Sequence, residues 1–95
     1  MVSSICGDAG GAGNTPYSAS KSAMNGLVLP MARDLGPLGI RAMTVAAGSI
    51  VTPMHEKYRV SLGVDPETWA GFVKGSYMTF PLGGMGEPDN FSHWV

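Results

Sequence analysis

The sequence predicts an α/β fold built on a parallel sheet, and three observations predict it. The chain opens on an apolar run, Met1-Val2-Ser3-Ser4-Ile5. A helical pattern extends from about Tyr17 to Leu35, and a nearly continuous apolar run, Ile40 to Ala46, follows it directly. Strand, helix and strand in this order make a βαβ unit. A strand apolar on both faces belongs to a parallel sheet covered on both sides.

Residues 1–6 are predicted as the first strand and 7–16, Gly7-Asp8-Ala9-Gly10-Gly11-Ala12-Gly13-Asn14-Thr15-Pro16, as a glycine-rich loop. In the helix, Met24, Leu27, Val28, Met31, Ala32 and Leu35 recur at the spacing of one buried stripe. Ser18, Ala19, Ser20, Ser22, Ala23 and Gly26 are small enough to admit a second helix closely. Pro30 removes one helical hydrogen bond and favours a kink. Gly36-Pro37-Leu38-Gly39 ends the helix.

Ala47-Gly48-Ser49-Ile50-Val51-Thr52-Pro53 forms the loop at the C-terminal end of the second strand, the edge where open α/β sheets bind ligands. Between Met54 and Tyr77 the pattern is weaker. Asp65-Pro66-Glu67 marks a helix start with Trp69, Phe72 and Val73 on its buried side. Phe80-Pro81-Leu82-Gly83-Gly84 is expected to be a loop, and Glu87-Pro88-Asp89 to open a last helix with Phe91, Trp94 and Val95 as its apolar contacts.

Composition narrows the function classes. At 95 residues the chain holds one domain at most, 1–95. Charged residues are 14% and hydrophobic ones 44%, which excludes a disordered chain. Apolar runs are too short for a membrane span, and no signal-peptide pattern opens the chain. Six Lys and Arg against seven Asp and Glu leave no basic patch for nucleic acid. The single cysteine, Cys6, cannot form an internal disulfide, which favours a reducing compartment. His55 and His93 lack partners at metal-ligand spacing, so no metal is expected, and the seven methionines are read as packing residues.

Tyr17 and Lys21, four apart, share one helix face. A phenol with an unperturbed pKa near about 10 is a poor base at neutral pH. A neighbouring ammonium favours the phenolate, which makes Tyr17 a candidate general acid/base for a hydroxyl. Ser4, thirteen residues earlier, sits at the end of the first strand, where its hydroxyl can hydrogen-bond a substrate oxygen. A second reading makes Gly7-x-x-x-Gly11-x-Gly13 a pyrophosphate cradle. Asn14-Thr15-Pro16 between the last glycine and the helix, and Asp34 inside a helix instead of at a strand end, weigh against it.

The joint order of these segments resembles the C-terminal, catalytic half of the short-chain dehydrogenase/reductase family. It is carried by Val2-Ser3-Ser4, Tyr17-Ser18-Ala19-Ser20-Lys21, Leu35-Gly36-Pro37-Leu38-Gly39-Ile40-Arg41 and Val45 through Met54, and extends over essentially the whole chain. The resemblance implies the C-terminal part of a Rossmann-like doubly wound parallel sheet, without its first strands and final strand. It implies a catalytic set of Ser4, Tyr17 and Lys21. Ser4 polarises the substrate oxygen, Tyr17 moves the proton, and Lys21 lowers the tyrosine pKa and binds the nicotinamide ribose. Tyr17, Lys21, Ala47, Gly48, Ser49, Ile50 and Thr52 are the implied cofactor contacts, with Thr52 at the carboxamide. The cofactor is NAD, with NADP the alternative. Trp69 and Phe72 lie in the region that caps the substrate in the family.

Leu29 through Leu35, Arg41-Ala42-Met43-Thr44, Phe80-Pro81, Gly86-Glu87-Pro88 and Phe91-Ser92-His93 also resemble the type-2 3-hydroxyacyl-CoA dehydrogenase branch. That branch implies fatty acid metabolism, short-chain acyl-CoA or hydroxysteroid substrates, a homotetramer, and a mitochondrial location, with the cytoplasm as the alternative. Ala47 stands where the family usually has proline. The family's phosphate-binding glycine motif, its Asn-Asn-Ala-Gly segment and its catalytic asparagine have no counterpart in these residues. The 95-residue chain is therefore expected to be inactive alone. The alternative function is a truncated, non-enzymatic product that associates with full-length subunits.

Overall fold

The computed structural model describes residues 1–75 and 84–93. Of the expected loop at Phe80–Gly84, residues 80–83 lie outside the described residues, as do Met78, Trp94 and Val95. The chain divides into two compact units, Met1–Ala47 and Gly48–Val95.

The first unit is α/β. Strands β1 (Val2–Ser4) and β2 (Val45–Ala47) form a two-stranded parallel sheet, and helix α1 (Thr15–Leu35) connects them. The register pairs Val2 with Val45, Ser3 with Ala46 and Ser4 with Ala47, so both strands end side by side at one sheet edge.

Both strands are shorter than the apolar runs suggest. The first ends at Ser4, where the Ser4 hydroxyl accepts the Cys6 N–H at 3.2 Å and caps a 3₁₀ turn over Ile5–Gly7. The N–H groups of Asp8 and Ala9 both reach the Ile5 carbonyl, at 3.0 and 2.9 Å, and turn the chain out of the sheet. The second strand begins only at Val45, opposite Val2, and ahead of it the Met1 amino group donates to the Met43 carbonyl at 2.8 Å.

Helix α1 starts two residues earlier than the sequence suggests. Pro16 occupies the first turn, where its missing N–H leaves no carbonyl unpaired, and the Ser18 N–H bonds the Asn14 carbonyl at 2.8 Å. The helix is continuous through Pro30, although Pro30 has no N–H for the Gly26 carbonyl. Met24, Val28, Met31, Ala32 and Leu35 are half-buried, but Leu27 is 50% exposed. At 100° per residue, Leu27 falls about 80° from the centre of that stripe. The expectation that every methionine packs also fails: Met43 and Met54 are 67% and 79% exposed.

The second unit is helical. Helix α2 (Pro53–Ser61), not anticipated as a separate element, follows Thr52, whose hydroxyl accepts the His55 N–H at 3.3 Å. Thr52-Pro53 is the same cap-then-proline signal as Asp65-Pro66. A Schellman ending closes α2: the Gly63 N–H bonds the Val60 carbonyl at 3.0 Å, the Val64 N–H reaches the Arg59 carbonyl at 3.4 Å, and Gly63 takes φ +67°. Arg59 adds a fork on Glu56, with Nε to Oε2 at 3.0 Å, and donates to the Val64 carbonyl.

Helix α3 (Pro66–Gly75) is capped by Asp65, whose Oδ1 accepts the Thr68 N–H at 2.9 Å. Hydrogen bonding from Thr68 holds the Asp65 carboxyl below its ordinary value of 3.8. Of the expected buried side, Val73 is buried and Trp69 half-buried, whereas Phe72 is 59% exposed. Phe72 instead lays its ring on Trp69, with centroids 5.5 Å apart. His55 and Tyr58 of α2 approach the same indole at 5.2 and 6.4 Å. A short helix α4 (Pro88–Ser92) carries a Glu87/Asn90 capping box. Among the described residues, no helix is long and apolar enough to cross a membrane.

Candidate active site

The first unit brings Tyr17 and Lys21 together on α1 and ties Lys21 to β1. The Lys21 ammonium lies 5.6 Å from the centroid of the Tyr17 ring. It donates to the Val2 carbonyl at 3.3 Å and lies 4.0 Å from the Met24 sulfur. Tyr17 is 47% exposed, so its phenol is open to a ligand. Its carbonyl accepts the Ser20 hydroxyl at 2.7 Å, a bond local to the helix.

Ser4 ends β1, two residues beyond the carbonyl that holds Lys21. It is 7% exposed, and its oxygen bonds the Cys6 N–H, not Tyr17. An oxygen that accepts from the backbone keeps its own proton to donate. Ser4 is therefore a fixed hydroxyl with one free donor.

Two residues outside the expected catalytic set hold this arrangement. Ser3 is 3% exposed and donates to the Lys21 backbone carbonyl at 3.0 Å. Gly7 lies flat on α1: a Cβ there would sit 2.9 Å from the Lys21 carbonyl carbon and 3.0 Å from the Ser22 nitrogen. Ser22 donates to the Gly7 carbonyl, and Asn25 Nδ2 donates to Asp8 Oδ1 at 3.0 Å. In sequence, Gly7 reads as one more loop glycine and Ser3 as a neighbour of Ser4, so neither carries a local signal of its partner.

The glycine loop finds a structural explanation. Gly10 and Gly13 adopt φ of +69° and +78°, left-handed turns that glycine enters without strain. Gly7 meets the requirement for close approach to α1. These three positions account for the loop without a phosphate.

In the second unit, the stretch around Ile50 is held by Gly86, thirty-six residues on. The Val51 N–H bonds the Gly86 carbonyl at 2.8 Å and the Gly86 N–H bonds the Ser49 carbonyl at 3.0 Å, which makes a parallel bridge between Ile50 and Gly86. A Cβ on Gly86 would stand 2.9 Å from Ile50 Cδ1, so a side chain here would require that methyl to turn aside. Thr52 is half-buried and uses one lone pair as the cap of α2, which leaves its proton to donate. Ser49 and Ile50 are half-buried and Gly48 is exposed, while Ala47, in the first unit, ends β2 opposite Ser4.

Within the first unit, Lys21 keeps ammonium protons beyond the one directed to Val2, donors that fit the hydroxyls of a dinucleotide's ribose. Among the described residues, no cluster of three His, Cys, Asp or Glu could hold a metal ion.

Comparison with known proteins shows the family. The family model for short chain dehydrogenase matches residues 1–62. The chain is 38% identical over 94 residues to 3-hydroxyacyl-CoA dehydrogenase type-2 of Mus musculus, covering 99% of this chain and 33% of the relative. The same-named protein of Homo sapiens is 39% identical over the same shares. Estradiol 17-beta-dehydrogenase 8 of Callithrix jacchus is 37% identical over 94 residues, 99% of this chain and 63% of that protein. The chain thus spans about a third of the length of the first two relatives. The resemblance expected over the whole chain is carried to residue 62 by the family model and beyond it by the individual relatives.

Proposed function

The chain belongs to the short chain dehydrogenase family, and on that premise we propose that it supplies the proton-transfer residues of an oxidoreductase that interconverts a secondary alcohol and a ketone. The observation that carries this reading is the Tyr17–Lys21 pair on one face of α1, with Lys21 tied to the strand that ends in Ser4.

In the oxidising direction, Ser4 donates its free hydroxyl proton to the substrate oxygen and fixes its position. Tyr17, as phenolate, takes the proton from the carbinol hydroxyl. The Lys21 ammonium favours that phenolate through its charge and offers its remaining protons to a ribose. NAD, when bound, supplies the acceptor for the hydride that leaves the carbinol carbon. Thr52 offers its hydroxyl to the carboxamide, and the bonds from Gly86 hold the backbone of Ser49 and Val51.

The relatives' names support a 3-hydroxyacyl-CoA substrate, with a hydroxysteroid as the related choice. Fatty acid metabolism, NAD in preference to NADP, a homotetramer and a mitochondrial location follow from the same branch resemblance and share its standing as proposals. Phenylalanine at position 17 keeps the ring and removes the proton carrier. In the whole protein, Tyr17→Phe should lower turnover about 10²–10⁴-fold and leave cofactor affinity nearly unchanged. Wild-type turnover in that variant refutes the assignment.

One observation favours a second reading, a non-catalytic chain that associates with complete subunits. Leu27, Leu29 and Leu38 of the first unit are 50%, 55% and 73% exposed. NADH oxidation by the purified 95-residue chain decides against it.

A further inference from the structure

We propose that Ser3, adjacent to the serine assigned to catalysis, is the positioning residue of the catalytic lysine. This rests on the dehydrogenase reading of Ser4, Tyr17 and Lys21.

Ser3 and Ser4 are successive residues of one strand, so their side chains leave it on opposite faces. Both are nearly inaccessible, at 3% and 7%. A hydroxyl removed from water must find a partner or cost free energy. The two find different partners. Ser4 accepts from the backbone of the next turn, and Ser3 donates across eighteen residues to the carbonyl of Lys21.

That carbonyl lies within α1, where helix geometry already pairs it with the N–H of Asn25. Ser3 therefore occupies its second lone pair. The helix does not need this bond to be complete, so it serves to place Lys21 relative to β1. The Lys21 ammonium returns to the same strand, at the Val2 carbonyl, 3.3 Å away. One residue is thus held to β1 twice, by its backbone through Ser3 and by its side chain through Val2. The two anchors fix where the stem of Lys21 begins and where its charge ends, 5.6 Å from the Tyr17 ring. Removing the Ser3 hydroxyl releases one anchor without leaving a buried group unpaired, since the Lys21 carbonyl keeps its helical bond. Ser3→Ala should therefore fold.

The test uses this chain with ¹³C-labelled lysine. The three lysines are Lys21, Lys57 and Lys74, and the latter two serve as internal references. Ser3→Ala should move the Lys21 ¹³Cε resonance by more than its linewidth and leave those of Lys57 and Lys74 in place, with the helical circular dichroism retained. Ser3→Cys keeps the size and a weaker donor, and should give a smaller displacement of the same sign; it reads the proposal if the alanine variant does not fold. A Lys21 resonance at its wild-type position in either folded variant overturns the proposal, as does an equal shift of all three lysines. Because the readout is lysine placement and not turnover, this result stands apart from the Tyr17→Phe assay, which alone decides the dehydrogenase reading.

Discussion

The two units of the chain are held together by different kinds of bond. In Met1–Ala47 the polar contacts join residues far apart in sequence: Ser3 to Lys21, Lys21 to Val2, Ser22 to Gly7 and Asn25 to Asp8. In Gly48–Val95 most are helix caps or one-turn pairs, with the Gly86 bridge and the Trp69 stack as the longer links. The proposed chemistry belongs mainly to the first kind. A Tyr–Lys pair on an isolated helix would wander with its side-chain rotamers; tied to a strand, it has a place. The second unit owes most of its order to caps and turns between near neighbours in sequence.

The largest effect expected from breaking the first unit comes at Lys21 itself. Lys21→Ala removes the ammonium from Tyr17 and the donor from the ribose. Turnover should fall about 10²–10⁴-fold, and cofactor affinity about tenfold, the worth of one charged hydrogen bond of about 1.5 kcal/mol. Steady-state kinetics with a cofactor titration separates this pattern from that of Tyr17→Phe, which spares affinity.

In the second unit the heaviest loss should follow Trp69→Ala. Three aromatic neighbours at 5.2, 5.5 and 6.4 Å lose their common partner. Each pair contributes about 0.5–1.5 kcal/mol, so the variant should lose about 2–3 kcal/mol and its near-ultraviolet dichroism, as a thermal melt and spectrum would show.

Gly7→Ala sharpens the comparison at the point where loop meets helix. The added methyl meets backbone atoms at 2.9 and 3.0 Å, which cannot move aside as a flexible side chain would. Overpacking here should cost about 1–3 kcal/mol in denaturant unfolding and displace the turn that follows Ser4.

The smallest effect expected is in the caps. Asp65 is fully exposed, and hydrogen bonds from Thr68 hold its carboxyl below 3.8 in the folded chain. A lowered folded value means that the unfolded chain binds the proton more readily. The contribution to α3 is therefore complete above the ordinary carboxylate range and is lost as pH falls through the folded value. Helicity followed by circular dichroism down an acid titration should show this loss in the wild type and not in Asp65→Asn.

These contrasts also mark what could be read from sequence. Fold class, the shared helix face of Tyr17 and Lys21, the end of α1 at Gly36 and the Asp65 cap were legible because each is written in local spacing: a stripe, a four-residue interval, a cap followed by proline. The same cap-and-proline signal at Thr52-Pro53 was present, but Thr52 was assigned to the cofactor alone and α2 went unpredicted. One hydroxyl can do both, since capping uses a lone pair and leaves the proton. Strand lengths were not legible, because an apolar run shows what can be buried and pairing decides what is. Ser3, Gly7 and Gly86 were hidden for the same reason. Their partners lie fourteen to thirty-seven residues away, and nothing in their neighbours' identities announces the contact.

The most direct test is NADH formation from a secondary alcohol by the whole protein, wild type against Tyr17→Phe, with cofactor affinity measured on the same samples. Turnover reduced about 10²–10⁴-fold at nearly unchanged affinity is the predicted result. Turnover retained in Tyr17→Phe would contradict the role of Tyr17 as the proton carrier.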